Sequence, residues 1–487
     1  MSESELHRKN RRCGEPVERC DPANVQCVDL GKLEPTPAMD NQLVFLQEMV
    51  RAHGDCFRFQ TPISQITVFN HPQHVKEVLH RKELERSTLA RFILGRGLLT
   101  TAGAFWRHRR SLMQRFFLKE NSQSYATVIS STIESTIQQW QARAADGQVV
   151  DVIQEMNRIT LRVIIKAFCS TTLSDGEIDA FSEALTLVLN DIGELQRAAT
   201  GSRPVTCPER NRRLKTAMSV LDGCVNDMIA KRKRNVSGRD DLLSHLLNTT
   251  NEFGRPMSDQ EIHNEIKTLL LAGHETTAMT LSWVWYVLSR YPDAEARLHR
   301  ELDRLLPSEF PDALEIQKFV WVQQIFQEIM RLYPPVWLLV RHAKQDVQIG
   351  RYKVMAGDSA LVSPFMVHRH QSYWDEPNSF VPERFTGGLA AWQKDAYMPF
   401  GQGSHLCIGM HLAQLEQTMV LAVLAKRFCV RPLTGQKGEM VAGVTLRMKS
   451  GFLAKIELRE HKQQQKLVSH TVEADSFVRN STRCIKF

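Results

Sequence analysis

The sequence predicts a mainly α-helical protein with a small β part (α+β), and three observations lead to this prediction. Apolar residues recur at helical spacing from about residue 72 to 300, strand-like alternation is confined to short stretches, and one helix is long enough to cross a whole domain. The 487 residues are 43% hydrophobic, which is enough for one large core. We expect an irregular polar arm over residues 1–35, one domain over 36–460 and a polar tail over 461–487.

The order of elements follows from the pattern along the chain. Residues 57–69 alternate in polarity and predict a hairpin. The stretch 198–213 contains Gly201, Pro204 and Pro208 and predicts a mobile surface loop. Short strands are expected after residue 335 and near residue 456. The clearest helices are predicted over 72–81, 105–117, 125–143, 149–168 and 410–427.

The long helix has clear signals at both ends. Ser258 and Glu261 form the S-x-x-E pattern of a capping box at its start. The helix should end near Arg290, because the following Tyr291-Pro292 disfavours helical backbone. Its 33 predicted residues would span roughly 50 Å at 1.5 Å per residue. A helix of this length must be largely buried.

Charge, hydropathy and cysteine usage exclude several classes of protein. The net charge of +8 is mild for this length, and no basic stripe with interleaved aromatic residues indicates nucleic-acid binding. The sequence has no apolar run of the length that spans a membrane and no secretory leader, so we expect a cytoplasmic protein without a membrane-spanning segment. The ten cysteines do not follow zinc spacing.

One cysteine stands apart from the others because of its neighbours. Residues 400–409 follow the frame F-x-x-G-x-x-x-C-x-G, with Cys407 as the cysteine, and a helix is predicted directly after it. Gly403 and Gly409 can supply close approach and unusual dihedral angles. Backbone N–H groups and the positive end of the helix would stabilise a thiolate. The bland alternative is a structural cysteine in a glycine-rich turn.

The cysteine segment resembles the ligand loop of the cytochromes P-450, a family of haem-thiolate monooxygenases. The resemblance implies haem b as the cofactor, with its iron bound by Cys407. Phe400, Gly401 and Gly409 would then be part of the cofactor site. His405 stands where the family usually has arginine, and its implied role is to pair with a haem propionate. We expect a nearby carboxylate to favour the imidazolium form of His405.

A second motif lies in the middle of the long helix, where Ala272-Gly273-His274-Glu275-Thr276-Thr277 is similar to the family's (A/G)-G-x-(D/E)-T-(T/S) pattern. By this resemblance Thr276 is the hydroxyl of a proton relay to bound dioxygen and Glu275 is the adjacent acid. Ala272 and Gly273 would leave room for the flat cofactor and O₂. The alternative zinc-protease motif HExxH fails, because position 278 is alanine.

Further residues match supporting positions of the family. Glu328 and Arg331 form an E-x-x-R pair on one helix face, and Arg384 is expected to join them in a buried structural network. Trp106 and Arg110 lie one helical turn apart, and they and Arg341 are implied to contact haem propionates. For Arg110 and Arg341 a surface position remains the alternative. The resemblance covers residues 40–460.

The implied reaction is insertion of one oxygen atom of O₂ into a C–H or C=C bond of a hydrophobic substrate. A fatty acyl chain, a polyketide and a terpenoid all remain open. Electrons are expected from a separate ferredoxin or flavodoxin-type protein with its reductase, and the chain is expected to be a monomer. The excess arginine at positions 107, 109, 110 and 115 predicts a docking face for that acidic partner.

Two other functions remain open from the residues. A peroxygenase or isomerase would use the same ligand without external electrons, and a haem sensor would bind the cofactor without turnover. Glu275 and Thr276 favour oxygen activation over both.

Overall fold

The arrangement of helices and strands follows from the periodicity of the apolar residues. The computed structural model describes residues 26–28, 41–61, 64–87, 90–199, 208–235, 240–306 and 310–459. Their α-helices are α1 Gln42–His53, α2 Pro72–His80, α3 Arg91–Leu94, α4 Gly103–Gln114, α5 Ser122–Ala145, α6 Val152–Cys169, α7 Asp175–Ala199, α8 Pro208–Arg234, α9 Leu242–Leu247, α10 Asp259–Leu288, α11 Pro292–Leu305, α12 Val320–Leu332, α13 Pro364–Val367 and α14 Met410–Ala425.

Within the described residues, the β-structure forms one larger and three smaller sheets. The strands are β1 Gln26–Val28, β2 Cys56–Gln60, β3 Gln65–Phe69, β4 Leu84–Arg86, β5 Val149–Asp151, β6 Leu339–Ala343, β7 Val347–Ile349, β8 Tyr352–Val354, β9 Ser359–Val362, β10 Phe428–Pro432, β11 Met440–Ala442, β12 Leu446–Met448 and β13 Leu453–Leu458. The larger sheet has the order β1-β2-β3-β9-β6-β4, and a second sheet has the order β10-β13-β5. β7 pairs with β8 and β11 pairs with β12 as antiparallel hairpins.

Helix α10 is the long helix that the sequence predicts, and it is buried along almost its whole length. Ser258 and Glu261 form the predicted capping box. The helix has 30 residues and ends at Leu288, two residues before the predicted end. It packs along α6, so the two helices form the centre of the main hydrophobic core. The predicted α+β class and the hairpin of β2 and β3 are confirmed.

Two further predicted boundaries are wrong. Helix α6 starts at Val152 and not at 149, because residues 149–151 pair with β13 and Asp151 caps the helix by accepting the N–H of Ile153. Part of the predicted loop 198–213 is helical, since α8 begins at Pro208, whose fixed φ suits a first helical position.

The terminal predictions fall mostly outside the described residues. Within the predicted irregular arm, however, Gln26–Val28 form strand β1, which pairs in parallel with β2. Residues 200–207, inside the predicted mobile loop, and the tail 461–487 lie outside the described residues. Across the described ranges, each helix is too short or too polar to span a bilayer.

The capping box of α10 should contribute measurably to stability. Replacing Ser258 with alanine removes the acceptor for the Glu261 N–H, so we expect the free energy of unfolding to fall by about 1 kcal/mol. Ser258→Thr keeps the hydroxyl and serves as the control. Denaturant unfolding of the three proteins measures the difference, and equal stability of the alanine and threonine variants would contradict the assignment.

Candidate functional site

The loop around Cys407 is held by its own backbone and by close packing on α2. The N–H of Cys407 donates to the carbonyl of Phe400 at 2.9 Å, which closes the loop on itself. Gly403 has φ +71°, and a Cβ there would lie 2.4 Å from the carbonyl oxygen of Leu79. Glycine is therefore required at 403 both for its dihedral angle and for space.

The predicted dihedral role of Gly409 is wrong. Besides Gly403, the glycine of this loop with a positive φ is Gly401, at +75°. Gly409 has an ordinary φ of −88° at the start of α14. One of the predicted backbone N–H donors is present, because the N–H of Gly409 bonds to the sulfur of Cys407.

Cys407 is an exposed residue, although burial is the largest influence on its thiol. Burial raises the pKa of this thiol, while the Gly409 N–H, Arg110 and Arg86 oppose the rise. These groups all favour a negative charge on sulfur. A metal ion at the sulfur would bring the remaining stabilisation, because a coordinated thiol is deprotonated.

A chain of ring contacts connects the cysteine loop with the long helix. A Cβ on Gly409 would lie 3.8 Å from the ring of Phe117, and the rings of Phe117 and Phe168 meet edge to face at 5.3 Å. Phe168 lies one turn after Ile164 on α6. Ile164 in turn packs against Gly273, where a Cβ would lie 2.7 Å from its Cδ1. The two predicted motifs are thus linked through α6.

The middle of α10 opens at the predicted motif. Between Ile262 and Trp285, the residues that are not buried are Ala272, Gly273 and Thr276. The hydroxyl of Thr276 donates to the carbonyl of Ala272 at 2.8 Å. Gly273 also packs against α6, where a Cβ would lie 2.7 Å from Cδ1 of the flexible Ile164 side chain.

Glu275 has two partners that the sequence analysis missed. Its Oε1 accepts the hydroxyl of Thr445 at 2.9 Å and lies 2.6 Å from Nε of Arg447. The carboxyl group is 3% exposed, so the ion pair is almost completely shielded from water. Thr445 and Arg447 are two residues apart at β12 and lie on the same strand face, a weak signal when read from sequence alone.

The basic residues predicted to surround the cofactor come together, and a further one joins them. The rings of Trp106 and His405 are 4.1 Å apart, and the guanidinium of Arg110 lies 5.5 Å from the Trp106 ring. The positive charges of Arg86, Arg341 and Arg110 all help to lower the pKa of His405. Arg86 was missed because its place depends on the pairing of β4 with β6, which no sequence motif indicates.

The pairing of β4 with β6 places Arg86 directly opposite Arg341. Like charges at such positions repel each other. Burial lowers the pKa of both groups to about 10, and neighbouring arginine adds to the effect at Arg86. Among the described residues, no carboxylate contributes to the pKa shifts of Arg86, Arg110, Arg341 or His405. The cluster therefore fits a bound group that carries its own negative charges.

The expected imidazolium form of His405 is not favoured by the protein itself. Burial and then Arg86, Arg341 and Arg110 lower the pKa of His405 to about 3. The expected carboxylate is not a side chain of the described protein, so it would have to come with the cofactor.

The predicted E-x-x-R network forms as expected. Arg331 holds Glu328 through two bonds of 2.7 Å, and Nε of Arg384 bonds to the same carboxylate at 3.1 Å. Arg331 also donates to the carbonyl groups of His368, Pro377 and Ser379. Glu328 and Arg331 are completely buried, so the network fixes the segment 368–384 to α12.

The predicted docking face is wrong at two of its four positions. Arg109 is completely buried and pairs with Glu252 and Glu261 and, at 3.8 Å, with Glu265. Arg110 belongs to the cluster at Cys407. Arg107 and Arg115 are exposed. Helical spacing is the signal that separates them, because Arg109 lies with Trp106 and Met113 on the buried face of α4.

A second group with metal-ligating atoms lies elsewhere, at Glu295, His299 and Cys429. Glu295 is engaged by Arg431 at 2.9 Å, and Arg431 and Arg459 both disfavour a positive charge on His299. Cys429 is buried in β10. The surroundings of this group thus oppose a cation, in contrast to those of Cys407, which favour an anionic sulfur.

Comparison with known proteins agrees with this geometry. The family model described as Cytochrome P450 matches residues 30–454. The chain belongs to the cytochrome P450 family. It is 34% identical to cyclooctatin synthase of Streptomyces melanosporofaciens over 79% of this chain and 85% of the relative. Pentalenene oxygenase of Streptomyces avermitilis is 31% identical over 78% of this chain and 85% of the relative.

A further relative, cyclooctat-9-en-7-ol 5-monooxygenase of Streptomyces melanosporofaciens, is 30% identical over 79% of this chain and 84% of its own length. This P450 is therefore a haem-dependent monooxygenase, and its cofactor is haem b. A thiol beside a basic cluster without carboxylates fits this cofactor, which brings iron for the sulfur and two propionates for the cations.

Breaking the buried network behind the cysteine loop should be costly. Glu328→Gln leaves Arg331 buried without its counter-charge, so we expect the free energy of unfolding to fall by about 3–5 kcal/mol. Glu383→Gln, which breaks the exposed pair with Arg297, should cost less than about 1 kcal/mol and is the matched control. Denaturant unfolding measures both, and similar costs would argue against a structural role for the network.

Proposed function

We propose that this P450 inserts one oxygen atom of O₂ into a C–H or C=C bond of a hydrophobic substrate, with Cys407 as the iron ligand. The observation that carries the proposal is the Cys407 sulfur, bonded by the Gly409 N–H and set beside a basic cluster without carboxylates. Haem, when bound, supplies the activation of dioxygen.

The chain's own residues would bind the cofactor and deliver protons to the reaction site. Trp106, Arg110, Arg341 and His405, together with Arg86, would bind the propionates. Phe400, Gly401 and Gly409 would shape the pocket of the sulfur. The thiolate of Cys407 would donate electron density to the iron.

Thr276 and Glu275 are assigned to proton delivery. The Thr276 hydroxyl is bonded to the carbonyl of Ala272 and lies in the open part of α10, so its oxygen can accept a bond from a bound group or water. Glu275 is the neighbouring acid. This pair favours the monooxygenase reaction over a peroxygenase, an isomerase or a sensor.

We further propose a cyclic substrate of the terpenoid class, because the three relatives are named for cyclooctatin, pentalenene and cyclooctat-9-en-7-ol. Fatty acyl and polyketide compounds are the alternatives. Electrons would come from a ferredoxin or flavodoxin-type protein and its reductase to a monomeric P450, with Arg107 and Arg115 on the docking surface. The free thiols of five described cysteines support a cytoplasmic location. The catalytic domain would be residues 36–460.

The first test is the absorption spectrum of the reduced protein with carbon monoxide. The wild-type protein and Cys429→Ser should both show the strongly red-shifted band of thiolate-ligated haem, whereas Cys407→Ser should lose it. Cys429→Ser is the control for loss of a cysteine outside the cluster. A wild-type band typical of histidine-ligated haem, or its loss in Cys429→Ser alone, would overturn the ligand assignment.

The relay can be tested by replacing its hydroxyl. In Thr276→Ala, cofactor binding should persist, while the product formed per electron consumed falls roughly 10-fold and peroxide accumulates, because proton delivery is impaired. Thr280→Ala is the control, since Thr280 makes the same type of bond to the Thr276 carbonyl but is buried. Product and peroxide yields measure the effect, and unimpaired coupling in Thr276→Ala would remove Thr276 from the relay.

A further inference from the structure

The ion pair of Glu275 with Arg447 joins the middle of α10 to residues at β12. Glu275 lies in the middle of a helix whose backbone is complete without it, and its side chain is almost fully buried. A buried carboxylate without a counter-charge favours its neutral form. Arg447, which is 13% exposed, provides the counter-charge from a different part of the chain.

Both contacts of the carboxylate fall on the same oxygen. Thr445 Oγ1 and Arg447 Nε are bonded to Oε1, and Arg447 Nε also bonds to Thr445 Oγ1 at 3.0 Å. The three groups form a closed triangle that fixes the orientation of the side chain. Both contacts leave Oε2 without a bond to either of these two groups. His274, the other titratable neighbour, is kept neutral, because burial and Arg447 help to lower its pKa to about 4.

Arg447 also connects the acid with helix α7. Its Nη1 lies 3.3 Å from Oδ1 of Asn190 on that helix. At the same place Gly193 approaches Gly443, and a Cβ on Gly193 would lie 3.7 Å from the Gly443 Cα. The turn before β12 thus packs directly on α7. A displacement of α7 would therefore be transmitted to Glu275 through the side chain of Arg447.

We propose that Arg447 is a positioning residue of the proton relay, which keeps Glu275 ionised and oriented through Oε1 and ties it to α7 through Asn190. This inference rests on the proposed function, because it gives Glu275 the role of the relay acid. Arg447 does not touch the reacting atoms and acts through Glu275. Thr445 is a second positioning residue, because its hydroxyl donates to the same oxygen of Glu275.

The ionisation of Glu275 can be measured without turnover by infrared difference spectroscopy of the full chain. Arg447→Leu should show an added absorption of a protonated carboxylic acid at neutral pH, and the double variant R447L/E275Q should lack it. Subtracting these two spectra removes the signals of other buried acids such as Glu265 and Glu416, whose pKa values are raised by burial. Arg447→Lys should keep Glu275 ionised.

The matched control is Lys449→Leu, which removes a cation from the same part of the chain but from an exposed pair with Glu439. It should leave the infrared spectrum unchanged. Arg447→Gln gives the same comparison if the leucine variant does not fold. The absence of the added acid signal in both Arg447→Leu and Arg447→Gln would overturn the proposal.

A second readout connects the ion pair with the reaction. Product formed per electron should fall roughly 10-fold in Arg447→Leu and respond more strongly to deuterated water, while Lys449→Leu stays at the wild-type value. A purely structural role would alter stability without changing the solvent isotope effect. If the wild-type protein oxidises no substrate, the proposed function fails, but the infrared result still decides whether Arg447 controls Glu275.

Discussion

Repulsion among the positive side chains around Cys407 is the constraint on which the site depends. β-pairing places Arg86 opposite Arg341, and Arg110 approaches from α4. Burying these groups costs free energy, and no described carboxylate compensates for it. The same positive field favours an anionic sulfur at Cys407. The same cluster of arginines therefore favours both a negatively charged sulfur at Cys407 and a cofactor with negatively charged groups at its edge.

The scaffold around this cluster is correspondingly rigid. Gly403 allows the cysteine loop to touch the backbone of α2, and the network of Glu328, Arg331 and Arg384 fixes the preceding segment. Packing between α6 and α10 links the loop with the oxygen-side motif through Phe117 and Phe168. Each link is a close contact of buried groups, so the relative position of the two motifs follows from ordinary core packing.

Much of this arrangement could be predicted because its determinants are local in sequence. The capping box at Ser258, the cysteine frame and the E-x-x-R pair each place their residues through spacing on one element. Arg86 and Arg447 could not be found in this way, because their positions depend on strand pairing and on contacts across the fold. The excess of arginine similarly led to the assignment of Arg109 to a docking face, although Arg109 is completely buried and pairs with three glutamates. The contact of Gly273 with Ile164 on α6 likewise depends on packing across the fold and was not predicted.

The uncompensated pairing of Arg86 with Arg341 has a consequence for the life of the protein in the cell. A ligand that neutralises buried charges binds the native state and not the unfolded chain, so it shifts the folding equilibrium by mass action. The cofactor is then a folding partner as well as a reagent. Newly made chains that exceed the haem supply carry the charge penalty and are exposed to proteases for longer. The abundance of this P450 should accordingly follow haem synthesis.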